Sequence, residues 1–288
     1  MAKNDVTKAK EAQLPAEFMD ALADAGQQHK DALGKDDMSV PFIQILQQLS
    51  PQCTRGKPEF IKGAIPSELL NTVTQERFPT RDDDDNQIVG MKILPISYKR
   101  TFIEWVTRAN GGGIVQEYSV EEGLAINTAR NDINQDIIQS GSPVGTPGNE
   151  LKDTHTHFVF IMKDDGSYAP AIISMSSTQV KASKDWNAMI NEVRLPDGRD
   201  APRFFATWNV TTVQRTNDKG SWYVFKFERE GDLLTDGRMD VFKEALSFKE
   251  GIDAGEHKAD HAKAEAAASG STNPDAPSGG EGDDDVPF

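Results

Sequence analysis

At 288 residues and 37% hydrophobic content the chain is long enough to bury a real core, yet lean for a compact enzyme, as extended polar ends would make it. A net charge of −15 argues against a uniformly basic nucleic-acid binder, and the single Cys53 excludes an internal disulfide framework and suits a reducing compartment. The acids are unevenly placed: residues 251–288 carry −7 and 1–38 carry −3, which leaves −5 for the body, four of whose acids form the run 82–85, so a local basic groove is compatible with the total.

In chain order, residues 1–38 are rich in Ala, Lys, Asp and Gln and read as a flexible segment, with a weak amphipathic run over 14–25 in which Leu14, Phe18 and Leu22 fall four apart. The first ten residues are polar and no apolar run of signal or membrane length follows, so a cytoplasmic location is expected, the host cell's if the protein is viral. The dense apolar run 40–52 opens the folded body, taken as 39–250. Residues 59–65 and 69–74 read as short strands, and 87–107 as a bent strand or two. Gly111-Gly112-Gly113 turns this run into a further strand over 114–120; no Lys-Ser/Thr follows the glycines, as a phosphate loop would require. Helical spacing of Leu124, Ile126, Ile133, Ile137 and Ile138 predicts a helix over 121–140, and 141–149 reads as a loop. A hairpin is predicted from strands over 155–162 and 169–175 across Asp164-Asp165-Gly166. Ser177-Thr178 caps a helix to about Val193 whose buried face is Val180, Trp186, Met189, Ile190 and Val193. Two long strands, 202–216 and 221–229, flank the turn Asn217-Asp218-Lys219-Gly220, and a short helix over 240–248 closes the body. Strands, a helix, then two more strands are compatible with a mainly β (α+β) class and an OB-fold-like barrel with an N-terminal elaboration. Many mixed β folds share that order.

Single-strand binding needs flat rings on which bases stack and cations that follow phosphates. Alternation along 203–215 assigns Phe204, Ala206, Trp208 and Val210 to the core and Arg203, Phe205 and Arg215 to the opposite, open face. In the partner strand Tyr223, Phe225 and Phe227 form the core set, leaving Trp222 and Lys226 open, with Lys219 in the turn between. Upstream, Tyr98, Lys99, Arg100, Phe102, Trp105 and Arg108 interleave rings and charges and are the expected second wall of a groove. Trp186 and Trp208 are assigned to the core. Strand aromatics are more often core than platform, and strand-end cations are usually solvated, so each of these positions carries that plainer reading too. His155 and His157 would share a strand face, but no Cys or carboxylate set completes a metal site. No nucleophile elbow, Walker loop or His-Glu-x-x-His helix occurs, and neither an enzyme nor a cofactor is expected.

Beyond the body, residues 251–288 read as a disordered acidic tail: a Ser/Gly/Pro tether over 269–280 leads to Asp283-Asp284-Asp285-Val286-Pro287-Phe288, three carboxylates, a rigid Pro and a terminal Phe that can dock into a cationic, apolar-floored pocket. This tether and tip resemble the C-terminal tails of bacterial and bacteriophage single-stranded DNA-binding proteins, with Val286 where that family usually has Ile. The Gln48-Leu49-Ser50-Pro51 opening of the body is similar to that of some bacteriophage replication proteins, and the length before the tail points to a bacteriophage-like type. The resemblance implies sequence-independent single-stranded DNA binding in replication, recombination or repair, with the tail competing for the groove. It also implies recruitment of replication proteins (a polymerase, helicase-primase or nuclease) through the tip. The absence of a bilayer-length apolar stretch gives no membrane partner as the expectation, and the sequence is compatible with a homo-oligomer without defining one. The rival expectation is an acidic interaction protein, a DNA mimic or assembly factor, without DNA affinity.

Overall fold

The structure is a computed structural model that describes residues 40–80, 89–218 and 220–269. The amphipathic run over 14–25, the acid run 82–85, Lys219 and the tip 283–288 lie outside the described residues.

Three short strands come first: β1 (Ile43–Ile45), β2 (Leu69–Asn71) and β3 (Arg77–Phe78) form a small antiparallel sheet. Then follow β4 (Met91–Trp105), β5 (Ile114–Tyr118), the single-turn-and-a-half helix α1 (Val120–Ala125), β6 (Thr128–Arg130), β7 (Asp136–Ile138), β8 (Glu150–Met162) and β9 (Tyr168–Ser176). Helix α2 (Val180–Asn191) leads to β10 (Ala206–Asn217) and β11 (Gly220–Asp232), and α3 (Met239–Asp253) and α4 (His261–Ser269) follow.

β4 and β8 are the spine of the larger sheet, paired antiparallel from Ile93 with Ile161 to Trp105 with Glu150. At one end β10 joins β4 (Trp208 opposite Ile93); at the other β5 does so (Phe102 opposite Tyr118), while β9 covers the far edge of β8. Pro95 has no N–H to give the ladder, and the register slips between Pro95 and Ser97, which bends the strand. The hairpin from β4 to β5 turns on Gly111, Gly112 and Gly113 at φ of 105°, 72° and 103°, a backbone that side-chain-bearing residues resist.

Both faces are covered at the β10 end. On one, Ser183, Trp186 and Ile190 of α2, spaced three and four apart, are buried against Met91, Ile93, Val159, Ile161, Trp208 and Phe227. Trp186 stacks on Phe227 with ring centres 3.9 Å apart. On the other, Leu94, Ile96, Phe160 and Met162 meet Val241 and Ala245 of α3. The mainly β, α+β class expected from the sequence is what forms. A closed barrel does not: among the described residues the strand path from β11 to β6 has two free ends. The outer edge of β11 is partly capped by side chains instead. Gln47 accepts from Tyr223 N (2.9 Å) and donates to Tyr223 O (2.9 Å), and Gln179 donates to Tyr223 O (3.0 Å) and accepts from Phe225 N (3.1 Å).

Four local expectations need correction. Residues 59–65 are a chain of turns rather than a strand. In place of a helix over 121–140, α1 stops at Ala125 and β6 and β7 make a hairpin. The Asn131 side chain closes its turn by accepting from Ile133 N and Gln135 N, with Asn134 at φ 64°. Two helices, the end of α3 and the whole of α4, occupy part of the segment expected to be a disordered tail from 251. Phe205 is not on an open face. A turn (Phe205 N to Pro202 O, 3.1 Å) breaks the alternation before Ala206, so Phe204 packs towards α3 and Phe205, 8% exposed, joins the core with Trp208.

Candidate functional site

Because partners in register share a face, the β4 to β9 ladder writes out the floor of a groove: Ile103 lies opposite Lys152, Trp105 opposite Glu150, and Thr154 opposite Ser176. The groove encloses about 450 Å³ over Ile103, Trp105, Lys152, Thr154, Ser174 and Ser176. It is also lined by residues of the segment 42–50, by Arg108, by His261, Ala264 and Glu265 of α4, and by Phe225 and Gln179.

Its electrostatics are modest and local. Arg108, with its side chain 77% exposed, holds Glu265 Oε1 at 2.7 Å. Lys152 Nζ lies 4.7 Å over the Trp105 ring and 3.7 Å from Glu150. Trp105 is 7% exposed, and the Lys152 ammonium lies over its ring. Thr154, Ser174, Ser176 and Gln44 add neutral hydrogen-bonding groups.

On the opposite face of β4 from this floor stands a buried carboxylate. Glu104 accepts from Tyr118 Oη (2.6 Å), Asn149 Nδ2 (2.5 Å) and Thr146 N (3.0 Å). Burial opposes its charge, but these donors together hold its carboxyl below the ordinary range, so it stays ionised and pins the 139–149 loop. Facing it, the Tyr118 hydroxyl is pushed up to about 12, first by burial and then by the bond to Glu104.

The expected second wall divides between two faces. Lys99, Trp105 and Arg108 fall on or beside the groove side, with Lys99 Nζ 3.0 Å from Glu117. Tyr98, Arg100 and Phe102 point the other way, since alternation along β4 separates neighbours. Phe102 is buried with Tyr118, Ile126, Ile138 and Leu151, so its ring is core rather than platform. Arg100 makes a bidentate pair with Asp153 (2.8 and 2.9 Å).

Tyr98 and Arg203 belong to a buried polar chain that spans β4, β8 and α2. Arg203 donates to Asn187 Oδ1 (2.9 Å) and to His157 Nδ1 (2.7 Å); His157 Nε2 meets Ser183 Oγ at 2.7 Å; Ser183 Oγ and Tyr98 Oη both reach His155 Nδ1, at 3.0 and 2.8 Å. A cation must donate, so His157 accepts on Nδ1 and carries its proton on Nε2. His155 accepts on Nδ1, and its Nε2 faces Asp153 Oδ1 at 3.3 Å. Burial pushes both histidines below their ordinary value, His157 far below it, and Arg203 down to about 10, where it is still charged at neutral pH. The order Asp153, His155, Ser183 has the polarity of a nucleophile triad, yet Ser183 is 0% and His155 1% exposed, so no substrate reaches the hydroxyl. The set braces α2 onto the sheet.

Arg215 and Trp222 sit opposite each other on β10 and β11, and Lys226 pairs with Glu228 at 2.9 Å; none of the three lines the groove. Lys152, Thr154, Phe225, His261 and Glu265 do line it without having been expected there. The alternation of Lys152 with Thr154 was visible in the sequence, but the strand that faces Trp105 was not.

A mainly β body carrying a groove, with Trp105 and Lys152 on a strand floor and Arg108 and a helix beside it, is the class of protein that this fold and site define. The chain belongs to the Pam3 phage gp34-like protein family, whose model matches residues 8–258. The match takes in every described strand together with α2 and α3, and ends before α4 and the tip. Neither a curated protein nor a solved structure matches the chain significantly. Among the described residues, no cluster of His, Cys, Asp and Glu suits a metal ion, and no helix is long and apolar enough to cross a membrane.

Proposed function

We propose that this phage-family protein holds single-stranded DNA in the groove on β4, β8 and β9 without reading its sequence, in replication, recombination or repair. Its acidic C-terminal tail competes for the groove, and the tip recruits replication proteins. The observation that carries the reading is the grouping of Trp105, Lys152 and Arg108 in one groove, a ring and two cations brought together from two strands and a turn. The Asp283–Phe288 sequence supports it, and membership of a phage family agrees with the bacteriophage-like type. With about two phosphates neutralised, the log of the affinity should fall against the log of the salt concentration with a slope of about −1.4, shallow for a nucleic-acid binder.

The test is fluorescence anisotropy of labelled oligo-dT with the full chain and with Lys152→Gln, a change that removes the cation and leaves the Trp105 packing in place. Weaker binding with a shallower salt slope supports the reading, and equal binding contradicts the assignment of the groove. The acidity of the chain favours one rival, an interaction protein that engages basic partners and has no DNA affinity. Failure of any form to bind the oligonucleotide would select it.

A further inference from the structure

Helix α4 lies between two hollows of the same sheet face. One is the groove of about 450 Å³. The other, about 390 Å³, is lined by Ile103, Ile114, Glu117, Lys258, Asp260 and His261. Ile103 of the floor and His261 of the helix border both, so the helix is a partition standing on a continuous strand surface rather than the edge of that surface.

We propose that α4 is a removable plug: residues 261–265 fill the middle of a single trough along β4 and β8, and single-stranded DNA takes that place by displacing them. The proposal rests on the reading of the groove given above and locates its regulation in the helix rather than in the acidic tip.

Among the described residues, the polar contacts that seat the helix are of the kind a nucleic acid can replace. Glu265 presents a carboxylate to Arg108, the guanidinium that a backbone phosphate would neutralise, so carboxylate and phosphate exclude one another. Gln44 Nε2 donates to Ala264 O at 2.8 Å, and a phosphate or base oxygen is an equivalent acceptor. His261 Nε2 and Thr156 Oγ1 stand 3.4 Å apart, at the long limit of a hydrogen bond, and the His261 ring tilts against Phe42 with centres 5.6 Å apart. Among residues 261–265, His261 is buried and Ala264 packs against the cluster of Phe42, Phe158 and Ile172, so the apolar contribution of this stretch is small beside the Trp and Ile that fix α2. Once it leaves, Ile103, Thr154 and Thr156 become the floor of one trough running from Phe225 to Ile114.

Oligo-dT affinity of four forms separates the possibilities: the full chain, a chain ending before 281, a chain ending before 259, and the full-length Glu265→Arg variant, all at about 0.2 M salt so that the charge of the tip is screened. Loss of an exposed ion pair and one hydrogen bond corresponds to roughly five- to tenfold tighter binding. That gain is expected for Glu265→Arg and for the chain ending before 259, whereas removal of the tip alone changes affinity by less than about twofold. Hydrogen exchange on the full chain should show the α4 amides losing protection when the oligonucleotide binds. Equal affinity in all forms, or α4 protection unmoved by bound DNA, overturns the plug while leaving the groove reading intact. No affinity in any form overturns both.

Discussion

Replacing Ser183 by Ala tests whether the buried polar chain is a brace. Among the described residues the hydroxyl is the hydrogen-bonded link between the two histidines: it receives the His157 Nε2 proton at 2.7 Å and lies 3.0 Å from His155 Nδ1. Its removal strands the His157 N–H where no water reaches and leaves His155 to Tyr98 alone. One fully unsatisfied buried donor and one weakened acceptor amount to about 2–4 kcal/mol of destabilisation. For a body of this size that is a fall in Tm of roughly 5–15 °C. Differential scanning calorimetry and urea unfolding followed by Trp fluorescence measure it directly, since Trp186 lies 4.7 Å from the His157 ring and reports the loosening of α2. Ser183→Thr adds a methyl to a fully buried site but keeps the hydroxyl, and should lose less. A Ser183→Ala protein with wild-type stability would refute the bracing account and reopen the Asp153, His155, Ser183 order to a chemical reading.

The same histidines give stability a pH dependence: their folded values lie below the ordinary 6.5, so the unfolded chain takes up protons first, and stability is complete above about pH 6.5 and declines as pH falls through the depressed folded values. Urea midpoints at a series of pH values should show this, and a midpoint that rises on acidification would contradict it. Glu104→Ala leaves the Tyr118, Asn149 and Thr146 donors without their acceptor and should cost about 3–5 kcal/mol, against about 1–2 kcal/mol for Glu104→Gln, by the same unfolding assay. Gly123→Ala would place a methyl on the Phe102 ring within α1, despite the better helix propensity of Ala, and is expected to lower stability by about 1–3 kcal/mol; a stabilised variant would show that the contact is slack. Lys226→Gln, outside the groove, should leave oligo-dT affinity unchanged within about 0.3 kcal/mol because its partner is Glu228 and the pair is largely exposed.

The hairpins were legible in the sequence because turns are local. Gly111-Gly112-Gly113, Asp164-Asp165-Gly166 and the turn at 217–220 each announce a reversal whose flanking strands then pair. The core role of Trp186 and Trp208 was legible too, since each sits in a run with one apolar face. The 121–140 segment misled because its isoleucines keep a helical interval while the Asn131 side chain closes a turn that periodicity does not register. Trp105 and Arg108 emerged as site candidates from proximity in the chain. Tyr98, Arg100 and Phe102 were grouped with them although strand alternation sends these three to the opposite face. Lys152, Thr154 and the α4 residues could not be read, because their place in the groove depends on which strand lies beside β4 and on a helix more than a hundred residues away.

The central claim is that Trp105, Lys152 and Arg108 form a surface for unpaired DNA. Its most direct test is an anisotropy titration of labelled oligo-dT against the chain ending before 259, with and without Lys152→Gln, at about 0.05 and 0.2 M salt. Saturable binding that weakens with salt and is reduced severalfold by the substitution is the expected result. A chain with its groove uncovered that leaves the oligonucleotide unbound at both salts would contradict the claim.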